Sequence, residues 1–307
     1  MTIQDALRKY TILFKSHSFP SASLDAEVLL LETLGRRRKD IGKSWLYAHN
    51  DYVLDKKEEK ILNQFVKRRL RHEPVAYITN RKEFYGYDFY VDKNVLIPRP
   101  ETELIVDKAL EMINSGRFNA SDLNLIDIGA GSGCIIISIL NELRKRGLNN
   151  VKSAVANDIS KRALNISKLN AKRYGLDAIK FISGDFEKAL SGKYVGEKTA
   201  TFITANLPYV KTDNFKILPS GVRKFEPKIA LVGGRSGLEI IQRLIRKIAA
   251  LKSASRERNF IIFLEADPRQ MASIKKIARK EFGVSDIQTI KDLRGKTRTA
   301  IIDTFQK

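Results

Sequence analysis

Cysteine is almost missing: Cys134 is the only one in 307 residues. An internal disulfide framework is thereby excluded, and a reducing compartment, the cytoplasm, is the expectation. Histidine is scarce as well. His17, His49 and His72 are scattered and no His/Cys cluster has zinc spacing, so no metal is expected. Long apolar runs are also lacking. The most apolar stretch, Cys134 to Leu140, falls far short of the ~20 residues that a membrane span needs. Met1 to Tyr10 is amphipathic and contains Asp5, unlike the apolar core of a secretory signal. Acidic residues are in deficit, 35 against 56 basic ones, which leaves a net charge of +21. Such a balance favours contact with polyanions such as ribosomal RNA, or with acidic proteins. An abundance of Lys, Ile and Asn offers a purely compositional origin for the same charge. There is no internal repeat and no low-complexity tract, and the apolar and charged fractions are those of a globular protein.

What is present divides into three textures. Residues 1–75 read as helices only. Thr2 with Asp5 forms a start signal, followed by Ile3, Leu7, Tyr10, Ile12, Leu13 and Phe14 on an apolar side. A second helix is expected from Ser23, carrying Leu24 and Val28 to Leu31 and stopping before Gly35. Asp55 caps a third, with Ile61, Leu62, Phe65, Val66 and Leu70 on one face and Lys67, Arg68, Arg69 and Arg71 on another; Pro74 closes this small bundle. Residues 76–100 form the connection. Phe84, Tyr85, Tyr87, Phe89, Tyr90 and Val91 surround Gly86 and predict a β-hairpin, and the prolines of Leu96–Glu103 forbid regular pairing and start a helix through Ile113.

From residue 101 to 307 strands and helices alternate, the signature of a mostly parallel sheet covered on both faces. Strands are expected at 123–128, 151–157, 179–182, 200–205 and 260–265, with helices at 133–146, 160–174, 236–251 and 268–282. Two final runs, Val284–Ile290 and Thr297–Phe305, are joined by Asp292-Leu293-Arg294-Gly295, which predicts an antiparallel hairpin at the end of the sheet.

The chemistry gathers where strands end. Asp127-Ile128-Gly129-Ala130-Gly131-Ser132-Gly133-Cys134 lies between the first strand and its helix, so glycines and free helix N–H groups face a ligand. The third glycine comes one residue earlier than in a dinucleotide fingerprint, which suits a ligand with carboxylate and ammonium groups better than a pyrophosphate. Asp127 could then hold the ammonium, directly or through water. Asp158 ends the second strand, placed to accept ribose hydroxyls, and Asp185 ends the third, placed to read an adenine amino group beside the Phe186 ring. Each aspartate is, taken alone, equally a helix N-cap. Cys134, near a helix start, is either a thiol of lowered pKa or a small packing residue. The fourth strand ends in Thr204-Ala205-Asn206-Leu207-Pro208-Tyr209. The Asn206 carbonyl can accept from a substrate NH2, Pro208 biases Leu207 to an extended shape that presents its backbone carbonyl, and Tyr209 offers a flat face. The plain reading of the same residues is a strand-to-loop turn.

Together these motifs resemble the PrmC/HemK family of S-adenosylmethionine-dependent glutamine methyltransferases, over nearly the whole length. The resemblance is carried by Glu73–Ile78, Glu83–Gly86, Ile97-Pro98-Arg99-Pro100-Glu101-Thr102-Glu103, the glycine loop, the Asn206 turn, Phe225-Glu226-Pro227, Ala230–Gly234 and Asp292–Gly295. It implies a seven-stranded Rossmann-like class I methyltransferase domain (101–307), preceded by a helical substrate-recognition domain (1–75) and a hairpin linker (76–100). It also implies that class 1 peptide chain release factors are N5-methylated on the Gln of their Gly-Gly-Gln loop, leaving S-adenosylhomocysteine. The implied catalytic residues are Asn206, Leu207, Pro208 and Tyr209. Those implied for the cofactor are Asp127, Gly129, Ala130, Gly131, Ser132, Gly133, Asp158, Asp185, Phe186 and Asn206. The family turn is usually Asn-Pro-Pro-Tyr, and Leu207 departs from it, removing one φ restraint. Two other readings stand beside this one. A nucleic-acid adenine or RNA methyltransferase would use the same turn on a flipped base, and a ribosome-associated module would bind cofactor without transfer. The Arg36–Lys39 cluster is either a dock for an acidic patch or a solvated face.

Overall fold

The computed structural model describes residues 1–307 except 37, 39–40, 119–121, 149–150, 284–286 and 306–307. The chain packs as two units, residues 1–81 with 219–225, and residues 82–218 with 226–307.

The first unit is helical, with α1 (Ile3–Ser16), α2 (Ala22–Gly35), α3 (Lys43–Ala48), α4 (Lys56–Leu70) and α5 (Val75–Thr79). Both predicted start signals are capping boxes. The Thr2 hydroxyl accepts the Asp5 N–H and the Asp5 carboxylate accepts the Thr2 N–H, each at 3.1 Å, and Asp55 and Glu58 reciprocate in the same way for α4. Ile3, Tyr10, Phe14, Leu29, Leu30, Leu62 and Phe65 close the core. Ile12 and Leu24, placed on apolar faces by the sequence reading, instead lie 60% and 54% exposed because they fall off the 3.6-residue stripe. Pro74 does not end the helical section but opens α5, where a residue without an N–H costs nothing. The basic face of α4 is partly spent internally: Arg69 pairs with Asp25 at 2.8 Å, and Arg68 pairs with Glu73 at 2.6 Å. Of the Arg36–Lys39 cluster, Arg37 and Lys39 lie outside the described residues; Arg36 bonds Glu32 at 3.2 Å and Arg38 bonds the Tyr52 hydroxyl at 2.6 Å.

The second unit starts at Lys82, within the first strand of a hairpin of β1 (Arg81–Phe84) and β2 (Tyr87–Tyr90). Its two turn residues, Tyr85 and Gly86, both take positive φ (54° and 73°), the geometry whose twist matches paired strands. There follow α6 (Glu103–Ile113), β3 (Leu123–Ile128), α7 (Cys134–Lys145), β4 (Ser153–Asp158), α8 (Lys161–Arg173), β5 (Lys180–Ser183), β6 (Ala200–Ala205) and β7 (Val210–Lys211). After α9 (Ser220–Phe225), which belongs to the helical unit, come β8 (Val232–Gly234), α10 (Glu239–Ala254), β9 (Asn259–Glu265), α11 (Met271–Phe282), β10 (Gln288–Lys291) and β11 (Thr297–Asp303). The sheet has seven strands in the order β10-β11-β9-β6-β3-β4-β5. Six run in one direction, and β11 alone is reversed, entering antiparallel between β9 and β10, as the terminal turn predicts. The first part of the expected strand Val284–Ile290 lies outside the described residues. The parallel pair β7–β8 and the helices α3, α5 and α9 were not expected; each is too short to carry a periodic signal.

Register places the site. Asn157, Ile128, Ala205 and Leu264 form one row across β4, β3, β6 and β9. One residue further on, Asp158, Gly129, Asn206 and Glu265 therefore stand level at the carboxyl edge. The chain leaves β3 towards β4 and β5, then crosses back to β6, so this edge is the topological switch point where open sheets bind ligands.

Candidate active site

A cavity of about 230 Å³ opens at that edge. Gly129, Ala130, Gly131, Ser132, Asp158, Asp185, Phe186, Asn206, Leu207 and Pro208 line it, with Pro98, Arg99, Thr102, Ile229 and Arg243 among the other walls. Three residues implied for the site stand off the wall: Asp127, Gly133 and Tyr209.

Asp127 sits behind the glycine loop, fully buried. Its Oδ1 accepts the hydroxyl of Thr204, its direct neighbour on β6, at 2.8 Å, and its Oδ2 has no partner. Burial pushes the carboxyl up to about 7; the Thr204 bond and the nearby Ile136 backbone N–H oppose the rise and the Asp158 carboxylate adds to it. An unpartnered buried carboxylate oxygen fits a cationic ammonium, or a water donating to it. Gly133 lies at φ 80° as the residue before α7, and a Cβ there would meet the Ser167 hydroxyl at 2.4 Å. Its role is to let the loop close on α8. Cys134 is buried, and burial pushes its thiol up to about 12, so the packing reading holds and the activated thiol does not.

Asp158 binds the loop together: its two oxygens accept the N–H of Gly131 at 3.0 Å and of Ser160 at 2.8 Å. Asn157, without a role in the sequence reading, is a buried staple. Its carbonyl accepts the N–H groups of Gly129 and Ala130, both at 2.9 Å, and its side-chain NH2 donates to the carbonyls of Ile182 and Gly184 at 2.9 and 3.0 Å. Asp185 caps a short turn by accepting the Glu187 N–H at 3.2 Å, and its other oxygen pairs with Arg243. The Arg243 guanidinium also lies over the Phe186 ring, 4.5 Å from its centre.

The turn after β6 is gripped at every residue. The Asn206 side-chain NH2 donates to Thr102 Oγ1 at 3.0 Å, and the Thr102 hydroxyl donates to Glu265 Oε2 at 2.6 Å. Leu207 is 6% exposed and packs into the core; a Cβ on Gly129 would lie 3.1 Å from it. The Pro208 carbonyl occupies the space where a Gly233 Cβ would stand, 2.2 Å away, which explains the glycine there. Gln270 donates to the Tyr209 carbonyl at 3.1 Å, and the Val210 N–H bonds the Leu231 carbonyl at 2.9 Å. The Tyr209 ring packs against the core rather than on the cavity wall, and burial raises its hydroxyl pKa. Glu226, its side chain 1% exposed, bonds Arg99 at 2.6 Å and the Ile97 N–H at 3.3 Å, fixing the proline-rich segment. Sequence reasoning missed Thr102, Glu265 and Gln270. Of these only Glu265 left a signal, a carboxylate closing an apolar strand.

Among the described residues, no group of three or more His, Cys, Asp or Glu could hold a metal ion, and no helix is long and apolar enough to cross a membrane.

Residues 5–79 match the family model of the PrmC N-terminal domain, and residues 119–231 match that of a methyltransferase domain. The release factor glutamine methyltransferase of Rhodopirellula baltica is 32% identical over 299 residues, covering 97% of this chain and 94% of its own. That of Bacillus subtilis is 33% identical over 274 residues, covering 89% and 88%. Among solved structures, the catalytic domain of hMettl16 in complex with the MAT2A 3′UTR hairpin 6 is similar in fold, with a TM-score of 0.54 at 21% identity over 76% of this chain and 81% of that one. With that likeness running nearly end to end in sequence, the chain belongs to the release factor glutamine methyltransferase family.

Proposed function

We propose that the protein transfers a methyl group from S-adenosylmethionine to the side-chain amide nitrogen of the Gln in the Gly-Gly-Gln motif of class 1 release factors. The observation that carries this reading is Asn206, held at the carboxyl edge of β6, level with the glycine loop, with its NH2 already engaged by Thr102. S-adenosylmethionine, when bound, supplies an electrophilic methyl and becomes S-adenosylhomocysteine. The loop from Gly129 to Ser132, Asp158, Asp185 and Phe186 would hold it, with Gly133 shaping the loop and Asp127, behind it, answering its ammonium through water. Asn206 Oδ1 accepts one N–H of the substrate amide and the Leu207 carbonyl accepts the other. Two acceptors fix the amide plane and direct the nitrogen lone pair, an orientation effect that needs no strong base in the ground state. Pro208 shapes the wall beside them, and Tyr209 stiffens the turn from behind. Residues 1–75 form the release-factor-recognising domain, 76–100 the linker and 101–307 the catalytic domain.

The test is transfer of labelled methyl to a purified release factor, to its Gln-to-Ala variant, and to total RNA and DNA in parallel. Label on the unaltered factor alone supports the reading. Label on nucleic acid transfers the assignment to base methylation, and bound cofactor with no label anywhere leaves a binding module.

A further inference from the structure

We propose that Thr102 and Glu265 are positioning residues that decide which way round the Asn206 amide faces, making it an acceptor for a carboxamide substrate. This rests on the methyl-transfer reading above and deepens it. A carboxamide is nearly symmetric in shape, so an asparagine at a site edge can present either its oxygen or its NH2. Only the outward oxygen helps. An outward NH2 would meet the substrate's own NH2, donor against donor.

The relay removes this ambiguity. Glu265 is 3% and Thr102 2% exposed, so neither exchanges its partner for water. A threonine hydroxyl has one proton, and an ionised carboxylate only accepts. With Glu265 Oε2 at 2.6 Å, the Thr102 proton is committed to the carboxylate. Thr102 Oγ1 can then only accept from its other neighbour, which must be the NH2 of Asn206, at 3.0 Å. Oδ1 is left for the cavity. The three residues come from separate places in the chain, 104 and 163 positions apart, yet Asn206 and Glu265 follow directly on the register pair Ala205–Leu264. The direction of the relay depends on the charge of Glu265. Burial raises its carboxyl to about 7, the Thr102 bond opposes this, Glu101 adds to it, and Arg298 and Arg99 oppose it; Tyr209 and Cys134 also feel its charge. Protonated, Glu265 can donate to Thr102, and the Thr102 proton is then free to turn towards Asn206 and reverse the amide.

The experiment compares the full-length protein with Thr102→Ser, Thr102→Val and Glu265→Gln. It measures kcat and KM for a release factor at saturating S-adenosylmethionine, cofactor affinity by calorimetry, and the side-chain 15N–H resonances of Asn206, assigned by their loss in Asn206→Asp. Thr102→Val is expected to lower kcat/KM by ~10²-fold, the cost of a misplaced contact, with cofactor affinity unchanged. Thr102→Ser should restore activity. Glu265→Gln should cost roughly tenfold, about one net hydrogen bond, and erase the fall in kcat on the acid side of pH 7. One Asn206 NH2 proton should exchange slowly in the wild type and rapidly in Thr102→Val. Equal kcat/KM in Thr102→Val, or a Ser variant as impaired as Val, overturns the proposal. A wild type that labels no release factor overturns the methyl-transfer reading instead, and the Asn206 exchange rates still decide whether the relay exists.

Discussion

The two units treat their buried polar groups differently. In the helical unit, Asp25 accepts from Ser21 and Arg69 at 2.8 Å each, Tyr10 bonds Asn63 at 2.8 Å, and Glu58 serves both the Asp55 N–H and the Tyr52 hydroxyl. Among the described residues, every buried side-chain polar atom lacking a partner, Asp127 Oδ2 and Gln270 Oε1 among them, belongs to the sheet unit. A buried polar atom without a partner costs stability unless something else satisfies it. The helical unit closes its networks on itself. The sheet unit leaves some of them open, Asp127 Oδ2 directly behind the glycine loop, and gives up stability there.

Breaking the open side should therefore remove function and spare stability. The largest effect is expected for Asn206→Ala: a fall in transfer of about 10²–10³-fold, the usual loss for one preorganised polar contact at a reacting centre. Cofactor affinity and melting temperature should hardly move, since Asn206 is only half-buried and Thr102 keeps its bond to Glu265. Calorimetry showing that the variant loses cofactor first would move Asn206 from substrate to cofactor.

Breaking the closed side should do the reverse. Arg69→Ala strips Asp25 of its cation, removes a bond to the Glu73 carbonyl at 3.1 Å, and uncovers the Phe19 ring that the guanidinium stacks on at 4.0 Å. A buried carboxylate left with only the Ser21 hydroxyl and no cation should cost ~3 kcal/mol of stability. Denaturant melts will show it, while cofactor affinity stays as it was. Equal stability would mean that the helical networks are decorative.

Asp127→Asn tests the trade directly, through pH. The folded carboxyl titrates at about 7, against 3.8 for an aspartate free in water. Between those pH values the folded chain holds a proton that the unfolded chain has lost, so the group's contribution to stability falls as pH rises towards 7 and is level above it. Without ligand, the wild type should therefore lose stability relative to Asp127→Asn across that window. Cofactor binding should run the other way, tightening as pH rises through 7 because an ammonium prefers the ionised form, and this slope should vanish in the variant. Parallel slopes in both proteins would exclude Asp127 as the cause.

How much of this was legible depended on distance along the chain. The capping pairs Thr2–Asp5 and Asp55–Glu58 lie three residues apart, and the hairpin turn at Tyr85-Gly86 is local, so sequence spacing announces them. The alternation of strands and helices is likewise a local pattern, repeated, and it led to the sheet and to Gly129, Asp158 and Asn206 at its edge. The supports of those residues were hidden. Thr102 reads as one letter of a proline-rich segment, Gly233 as one letter of the Ala230–Gly234 match, and Asn157 has no reading at all, because what each touches lies 25 to 163 residues away. Strand register joins them, and register cannot be read before the strand order is known.

The smallest expected effect bears on Leu207, where the family turn usually has proline. A proline there would restrict φ in the unfolded chain and stabilise by ~0.4–1 kcal/mol if the native backbone suits it. The turn in this protein has its restraint from packing instead. Asn206 is tied to Thr102, Pro208 rests on Gly233, Tyr209 is held by Gln270, and Leu207 itself fills the gap beside Gly129. Leu207→Pro should thus leave the transfer rate close to the wild type, with no net rise in melting temperature, because the packing of the buried leucine is lost as the φ restraint is gained. Leu207→Ala should do more harm, because it empties the contact between the Asn206 turn and the glycine loop, and the loss should appear in cofactor affinity before it appears in kcat. A large drop in rate for Leu207→Pro with cofactor affinity intact would show that the turn has a backbone shape proline cannot adopt. The leucine would then be a specific fit to this chain, with the closed-network logic of the helical unit extending into the open one.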